Sequence, residues 1–364
     1  MRVTAQPVDL THRRVLKLAV PVVISNATVP ILGAVDTGVV GQMGEAAPIG
    51  AVGVGAVAIT AIYWIFGFLR MGTAGLAAQA EGAGDRAEVS ALLSRALLIA
   101  LGAGVLIAIF QAPLIHLALM TAPASDEVES LARSYMAIRV YSAPAMIAVY
   151  ALTGWLIALE RTGGVLAVQL LMNVLNIVLD LWFVLDLDWG VEGVALATFI
   201  AEWSGFALAL WLCRDAFETP AWRDRTRIFD RAQLVLFASL NRDILIRSVL
   251  LQGIFMSFIF VGARFGDVTL AANHVLMQFL HITAYSMDGF AIVAEALVGQ
   301  SMGARSVSRV RRAAALTSIW GIICVVVTAV AFALFGGPII DLMTTSDAVR
   351  AEARIYLPYM IASP

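Results

Sequence analysis

Residues 312–342 read RAAALTSIWGIICVVVTAVAFALFGGPIIDL, and no side chain between Arg312 and Asp341 carries a charge. A helix needs about 20 mostly apolar residues to cross a bilayer, so this stretch is long enough to span one. Lipid offers no water to satisfy backbone groups, which leaves a helix or a strand of a closed barrel. Barrel strands alternate in segments of roughly ten residues, and this run does not alternate. It reads as a membrane helix.

The pattern recurs near 16–39, 49–73, 91–118, 128–158, 164–186, 190–213, 234–263, 270–300 and from 348 onward, giving roughly ten spans with that at 312–342. Composition agrees: 60% of residues are hydrophobic and 14% charged, with a mean hydropathy of +0.87. A water-soluble domain could not carry such values without exposing apolar surface everywhere. An all-α membrane protein is expected.

Met1 to Arg14 is polar and precedes a long helix with a charge inside the span, unlike a cleaved signal peptide. Cys213 and Cys324 lie at or within apolar helices, far from any His-rich spacing, so neither a disulfide framework nor a zinc site is suggested. They read as packing or lipid-facing residues. No basic stripe interleaved with aromatics speaks for nucleic acid.

Basic residues fall in alternate connections: Arg2, Arg13, Arg14 and Lys17 around the start of the first span, Arg86 after the second, Arg161 after the fourth, Arg214 to Arg242 after the sixth, and Arg305 to Arg312 after the eighth. The loops around Glu45, Ala122 and Asp186 to Asp188 hold almost none. The positive-inside rule then places the N-terminus and the Arg214–Arg242 stretch in the cytoplasm. That stretch is the longest polar interruption and reads as a linker between two lobes.

A self-comparison at a shift of 221 residues pairs Gln79, Gly82, Ala83 and Val89 with Gln300, Gly303, Ala304 and Val310. The same shift pairs Asp126, Val128, Ala132, Arg133, Tyr135 and Ser142 with Asp347, Val349, Ala353, Arg354, Tyr356 and Ser363. An even shift of six helices preserves orientation, so the repeats are parallel. The expected division is an N-terminal lobe at 1–213, a linker at 214–240 and a C-terminal lobe at 241–364. Pro364 matches Ala143, so the repeat predicts a continuation by two helices to about 440 residues.

An ionised carboxylate at the centre of a span costs at least ~2.5–3.5 kcal/mol, which makes each such acid a functional candidate. The first span carries Asp36. The fifth carries Asp180, with Asn176 and Asn173 four and seven residues earlier on the same helical face. The sixth carries Thr198 and Glu202 one turn apart. Asp36, Asn176, Asp180 and Thr198 can form one site, where hard oxygen ligands hold Na⁺ or a buried carboxyl carries a proton. The alternative is a polar stripe that glues helices by interhelical hydrogen bonds. Asn173 and Glu202 are second-tier members, Glu202 either supporting the site or pairing with a buried arginine.

In the second lobe Asp288 and Glu295 share a face of the eighth span, and Arg247 is a candidate partner whose charge would make them structural. Arg139, deep in the fourth span, needs a partner that the sequence does not name, and Arg70 is close enough to the cytoplasmic side to snorkel. Pro21 and Pro30 each remove a helical hydrogen bond, so the first span can bend upstream of Asp36. Asn26, Pro30, Tyr63, Met146, Tyr150 and Met172 are candidates for lining an apolar substrate cavity, against ordinary packing.

Segments LAVPVVISNATVPILGAVDTGVVGQMG (18–44), FLRMGTAGLAAQA (68–80), NVLNIVLDLWFV (173–184), GVALATFIAEW (193–203), LNRDILIRSVLLQ (240–252) and MDGFAIVAEALVGQSMGAR (287–305) together resemble the multidrug and toxic compound extrusion (MATE) family, in its DinF-like bacterial branch. The resemblance covers the whole chain. It implies twelve helices in two six-helix lobes and export of organic, often cationic, compounds driven by inward H⁺ or Na⁺, without a cofactor. The family's cation-site positions match Asp36, Asn176, Asp180 and Thr198, the residues selected above on physical grounds. The chain has no acid between Asp243 and Asp267, so it lacks the seventh-helix carboxylate of the other bacterial branch, which favours coupling in the first lobe.

The expected protein is therefore a multi-pass transporter of the bacterial inner membrane, acting on small molecules as a monomer. A lipid-linked precursor flippase is the alternative; it should gather several uncompensated arginines, such as Arg70, Arg139 and Arg247, in one cavity. An enzyme is not expected, because His12, His116, His274 and His281 form no nucleophile–base or metal pattern.

Overall fold

The computed structural model describes residues 9–43, 46–121, 124–262 and 266–363. Arg2, Glu45, Ala122 and Pro364, and the side chains of Pro30 and His274, lie outside the described residues. The described chain is helical, with no strand. In order come α1 (His12–Gly41), α2 (Ala46–Trp64), α3 (Phe68–Gly82), α4 (Arg86–Ile109), α5 (Gln111–Thr121), α6 (Asp126–Arg139), α7 (Ala143–Ala158), α8 (Thr162–Asp180) and α9 (Gly190–Leu212). Then follow α10 (Arg225–Ile228), α11 (Arg231–Gly262), α12 (Asp267–Gly303), α13 (Val307–Met343) and α14 (Asp347–Ala362).

These helices fall where the apolar runs predict them. Among the described residues, seven helical stretches are long and apolar enough to cross a membrane, from Ala47–Gly82 to Val307–Met343; the other three expected spans coincide with α1, α11 and α14. The chain is a multi-pass membrane protein.

The differences have local causes. The second span continues to Gly82 rather than ending near residue 73, through a 3₁₀ turn at Ile65–Gly67. The third breaks at Phe110, where Pro113 cannot donate to the preceding turn. The fourth breaks at Val140–Ser142 because Pro144 has no amide hydrogen. The Ala143 amide bonds back to Val140 instead, which frees the Arg139 carbonyl for side-chain donors. Asp180 is followed directly by a π-helical turn, Leu181–Asp186, a widening of the helix often found at functional sites.

The largest buried cluster gathers side chains from α1 to α9, with Trp155, Tyr135, Leu69 and Ile147 essentially inaccessible. A separate cluster joins α12, α13 and α14 through Phe279, Phe332 and Ile340. At the end of the molecule rich in arginine, α3 and α12 meet glycine to backbone: a Cβ on Gly82 would overlap the Gln300 carbonyl, and one on Gly303 the Gln79 carbonyl. Gln300 Nε2 donates to the Ala158 carbonyl at 2.8 Å, and Arg14 Nε donates to Glu160 at 2.8 Å.

The stretch between α9 and α11 is folded rather than extended. It winds through 3₁₀ turns at Arg214–Phe217 and Pro220–Arg223 into α10 and lies against the first turns of α4. Ser90 Oγ donates to the Ala216 carbonyl, Ser94 Oγ to the Trp222 carbonyl at 2.8 Å, and Arg95 to the Ile228 and Arg227 carbonyls at 2.9 and 2.7 Å.

Candidate functional site

The polar stripe of α8 faces α1 and α9. Asp180 and Asn176 are wholly buried, Asn173 and Thr198 nearly so, and Asp36 is half-buried. The carboxyls of Asp36 and Asp180 lie within hydrogen-bonding distance of each other. Asn176 Nδ2 donates to Thr198 Oγ1 at 3.0 Å, and Thr198 donates to the Val194 carbonyl at 3.0 Å. The four residues selected from the sequence are thus brought together.

One feature of this cluster bears on its chemistry. Asp36 Oδ1, both carboxylate oxygens of Asp180 and Asn176 Oδ1 are buried, and the Asn176 side chain is the one neighbouring amide within reach of the Asp180 carboxyl. Buried polar atoms are ordinarily satisfied, and interhelical glue would use these oxygens as acceptors. Two unit charges ~4 Å apart at an effective dielectric of 20 repel by about 4 kcal/mol. An oxygen-rich pocket with two acids and few donors suits a proton shared between the acids or a cation between them. Among the described residues no group of three His, Cys, Asp or Glu is placed to hold a metal ion, so a cation here would draw on Asn176 and Thr198 as well as the two acids.

Arg139 finds its partner in Glu202, at 2.7 Å, both nearly inaccessible. Glu202 is thereby the partner of a buried arginine, one of the two roles the sequence left open. The freed Arg139 carbonyl accepts from Tyr63 Oη at 2.6 Å and Ser142 Oγ at 2.7 Å. Tyr135, also buried, lies within electrostatic reach of Arg139, Asp36 and Glu202. The ion pair and two tyrosines form a polar flank to the acid pair; Arg139 and Glu202 each signalled the need for a partner, but the sequence neither joined them to each other nor brought the tyrosines to them.

The remaining candidates are spread differently. Asn173 Nδ2 donates to the Thr28 carbonyl of α1 at 3.4 Å and accepts from Gln169 at 2.9 Å, which is a helix-joining role. Asn26 Nδ2 reaches the Tyr285 carbonyl of α12 at 3.4 Å. Met172 packs against Gly205 in the α8–α9 contact. Tyr63 is buried with its hydroxyl spent on Arg139, while Met146 and Tyr150 are partly buried against the core. α1 runs as one helix through Pro21 and Pro30.

Arg70 is half-buried on α3. It stands within electrostatic reach of Tyr150, Asp288 and Glu295, as Arg247 does of the two acids. Among the described residues Asp288 and Glu295 have no ion-pair partner within 4.0 Å, and Arg247 contacts Met71 Sδ at 3.5 Å. Two arginines thus face two acids where α3, α11 and α12 meet. Arg139 is elsewhere, paired inside the first lobe.

Residues 21–182 and 244–363 match the family model described as MatE. The chain is 40% identical to the DNA damage-inducible protein F of Escherichia coli strain K12, over 95% of this chain and 76% of that protein. It is 26% identical to the probable multidrug resistance protein NorM of Neisseria meningitidis serogroup B, over 96% of this chain and 78% of that protein. A crystal structure of MATE in complex with MaD3S shares the fold with a TM-score of 0.83 at 21% identity, covering 97% of this chain and 80% of that one.

Proposed function

The chain belongs to the MatE family, in its DinF-like branch, and from that premise we propose that it exports organic, often cationic, compounds in exchange for H⁺ or Na⁺ by alternating access. Members of this family are transporters rather than enzymes and handle small molecules within the membrane. The observation that carries the coupling proposal is the pair of facing buried acids, Asp36 on α1 and Asp180 on α8, with the Asn176 and Thr198 side chains beside them.

Asp36 rides on α1 and Asp180 on α8, so their repulsion acts between two helices. A proton or Na⁺ at the pair removes it. Every 1.4 kcal/mol is a factor of ten in an equilibrium, so about 4 kcal/mol of repulsion corresponds to roughly a thousandfold. An ion shifts the protein only by its differential affinity for the two states, and a pair whose spacing changes between states supplies that difference. Arg139 and Glu202, paired at 2.7 Å, place a neutral ion pair beside the acids. The moving bodies in this reading are residues 1–213 and 241–364, joined by 214–240. Contact of α3 with α12 at the arginine-rich end, cytoplasmic by the positive-inside rule, corresponds to an outward-facing state of a monomer in the bacterial inner membrane.

A lipid-precursor flippase is not favoured, because Arg70 and Arg247 face acids and Arg139 is neutralised apart from them. The test is fluorescent-cation efflux from proteoliposomes under an imposed pH or Na⁺ gradient. Efflux driven by one gradient and lost in Asp36→Asn and Asp180→Asn supports the exchanger; gradient-driven efflux that survives both substitutions overturns the assignment of the pair.

A further inference from the structure

The folded segment between α9 and α11 and the first turns of α4 enclose a cavity of about 570 Å³ that the transport reading does not use. Its floor is Leu97, Leu98 and Leu101 of α4, and its rim is Trp222, Arg223 and Arg225. Leu98 is 52% exposed and continues into Val105, Leu106 and Ile109, the apolar outer face of a membrane span. The groove therefore opens onto the hydrocarbon of the bilayer.

Charge is arranged at one end only. No acidic residue lines the cavity. Three nearby acids are engaged by other groups: Asp224 accepts from the Thr226 hydroxyl at 2.6 Å and from the Thr226 and Arg227 amides. Glu88 pairs with Arg95 at 2.6 Å, and Arg227 stands 3.7 Å from both Asp85 and Glu88. Among the described residues neither Arg223 nor Arg225 has a carboxylate partner within 4.0 Å. Trp222, edge to face with Phe217 at a centroid distance of 5.6 Å, is a side chain of the kind that settles at headgroup depth. The level of Arg95, buried against backbone carbonyls, marks where polar surface gives way to the leucines.

We propose that this groove binds one anionic phospholipid of the leaflet at the arginine-rich end, its phosphate held between Arg223 and Arg225 and an acyl chain laid along Leu97, Leu98 and Leu101. Guanidinium groups bind phosphate through forked, charge-assisted hydrogen bonds, and basic pockets at this depth select anionic headgroups. The bound lipid fastens the inter-lobe segment to α4. This proposal is independent of which ion or compound is transported.

Native mass spectrometry of the full chain, titrated with phosphatidylglycerol or phosphatidylcholine, tests it. Wild type should retain one phosphatidylglycerol in preference to phosphatidylcholine. Arg223→Gln with Arg225→Gln should weaken that retention about tenfold or more and leave phosphatidylcholine unchanged. Arg311→Gln with Arg312→Gln, which removes the same charge outside the groove, should change neither, and soluble glycerol phosphate should not compete. Unchanged phosphatidylglycerol retention in the Arg223 and Arg225 variant, or an equal loss in the control, would overturn the proposal.

Discussion

Gly82 of α3 and Gly303 of α12, 221 residues apart, pack reciprocally: each lies where a Cβ would overlap the carbonyl of the glutamine three residues before the other, Gln300 and Gln79. Those four residues are also the first matches of the internal repeat. The contact thus joins positions that match at the 221-residue shift, and it lies at the arginine-rich end of α3 and α12.

Substituting either glycine with alanine should therefore open that end. Overpacking of this kind costs about 1–3 kcal/mol, which corresponds to roughly a 5- to 150-fold shift in the balance of states. Spin-label distances between the ends of α3 and α12 should lengthen in Gly82→Ala and Gly303→Ala alike. Unchanged distances in both would mean that the contact does not hold the closed end together.

The Arg139–Glu202 pair predicts a strongly non-additive mutant cycle. Glu202→Gln leaves a buried guanidinium uncompensated and should cost about 3–5 kcal/mol, whereas replacing both residues with apolar side chains of similar volume should cost much less. Thermal unfolding in detergent of the single and double variants measures this. Additive losses would show that the two charges do not interact.

How much of this was legible beforehand depends on what each residue answers to. Asp36, Asn176, Asp180 and Thr198 could be found because a polar group inside a span is costly wherever it points, and the i, i+4 spacing fixes its face. The Arg139–Glu202 pairing could not be named, because the rotation of α6 against α9 is set by packing, including Gly55 receding before Tyr135. Met172 could not be assigned for the same reason: an adaptable side chain looks alike in a cavity and in a contact, and only the structure shows it against Gly205. The linker was legible as polar but not as folded, since Ser90, Ser94 and Arg95 on α4 bind its backbone carbonyls, which carry no sequence signal.

Outside the membrane, Arg161 bonds to Asp215, and that hydrogen bond holds the Asp215 carboxyl below the ordinary carboxylate range. A depressed folded value contributes stability above the unfolded pKa of about 3.9 that is lost as pH falls through the folded value. Both side chains are more than a third exposed, so the contribution should be at most about 1 kcal/mol. Asp215→Asn should accordingly lower thermal stability slightly at neutral pH and not at all once wild-type Asp215 is protonated. A loss that persists undiminished under strong acid would assign the effect to packing.

The most direct test of the central claim counts the ion at the Asp36–Asp180 pair. Purified full-chain protein in weak buffer is mixed with a lipophilic organic cation while proton release is recorded, and ²²Na⁺ binding is measured in parallel. Wild type should release about one proton or give up about one Na⁺ per chain, the stoichiometry expected of one site with differential affinity for two states. The folded Asp36→Asn, Asp180→Asn double variant should do neither. Ion release that persists undiminished in that variant would contradict the account.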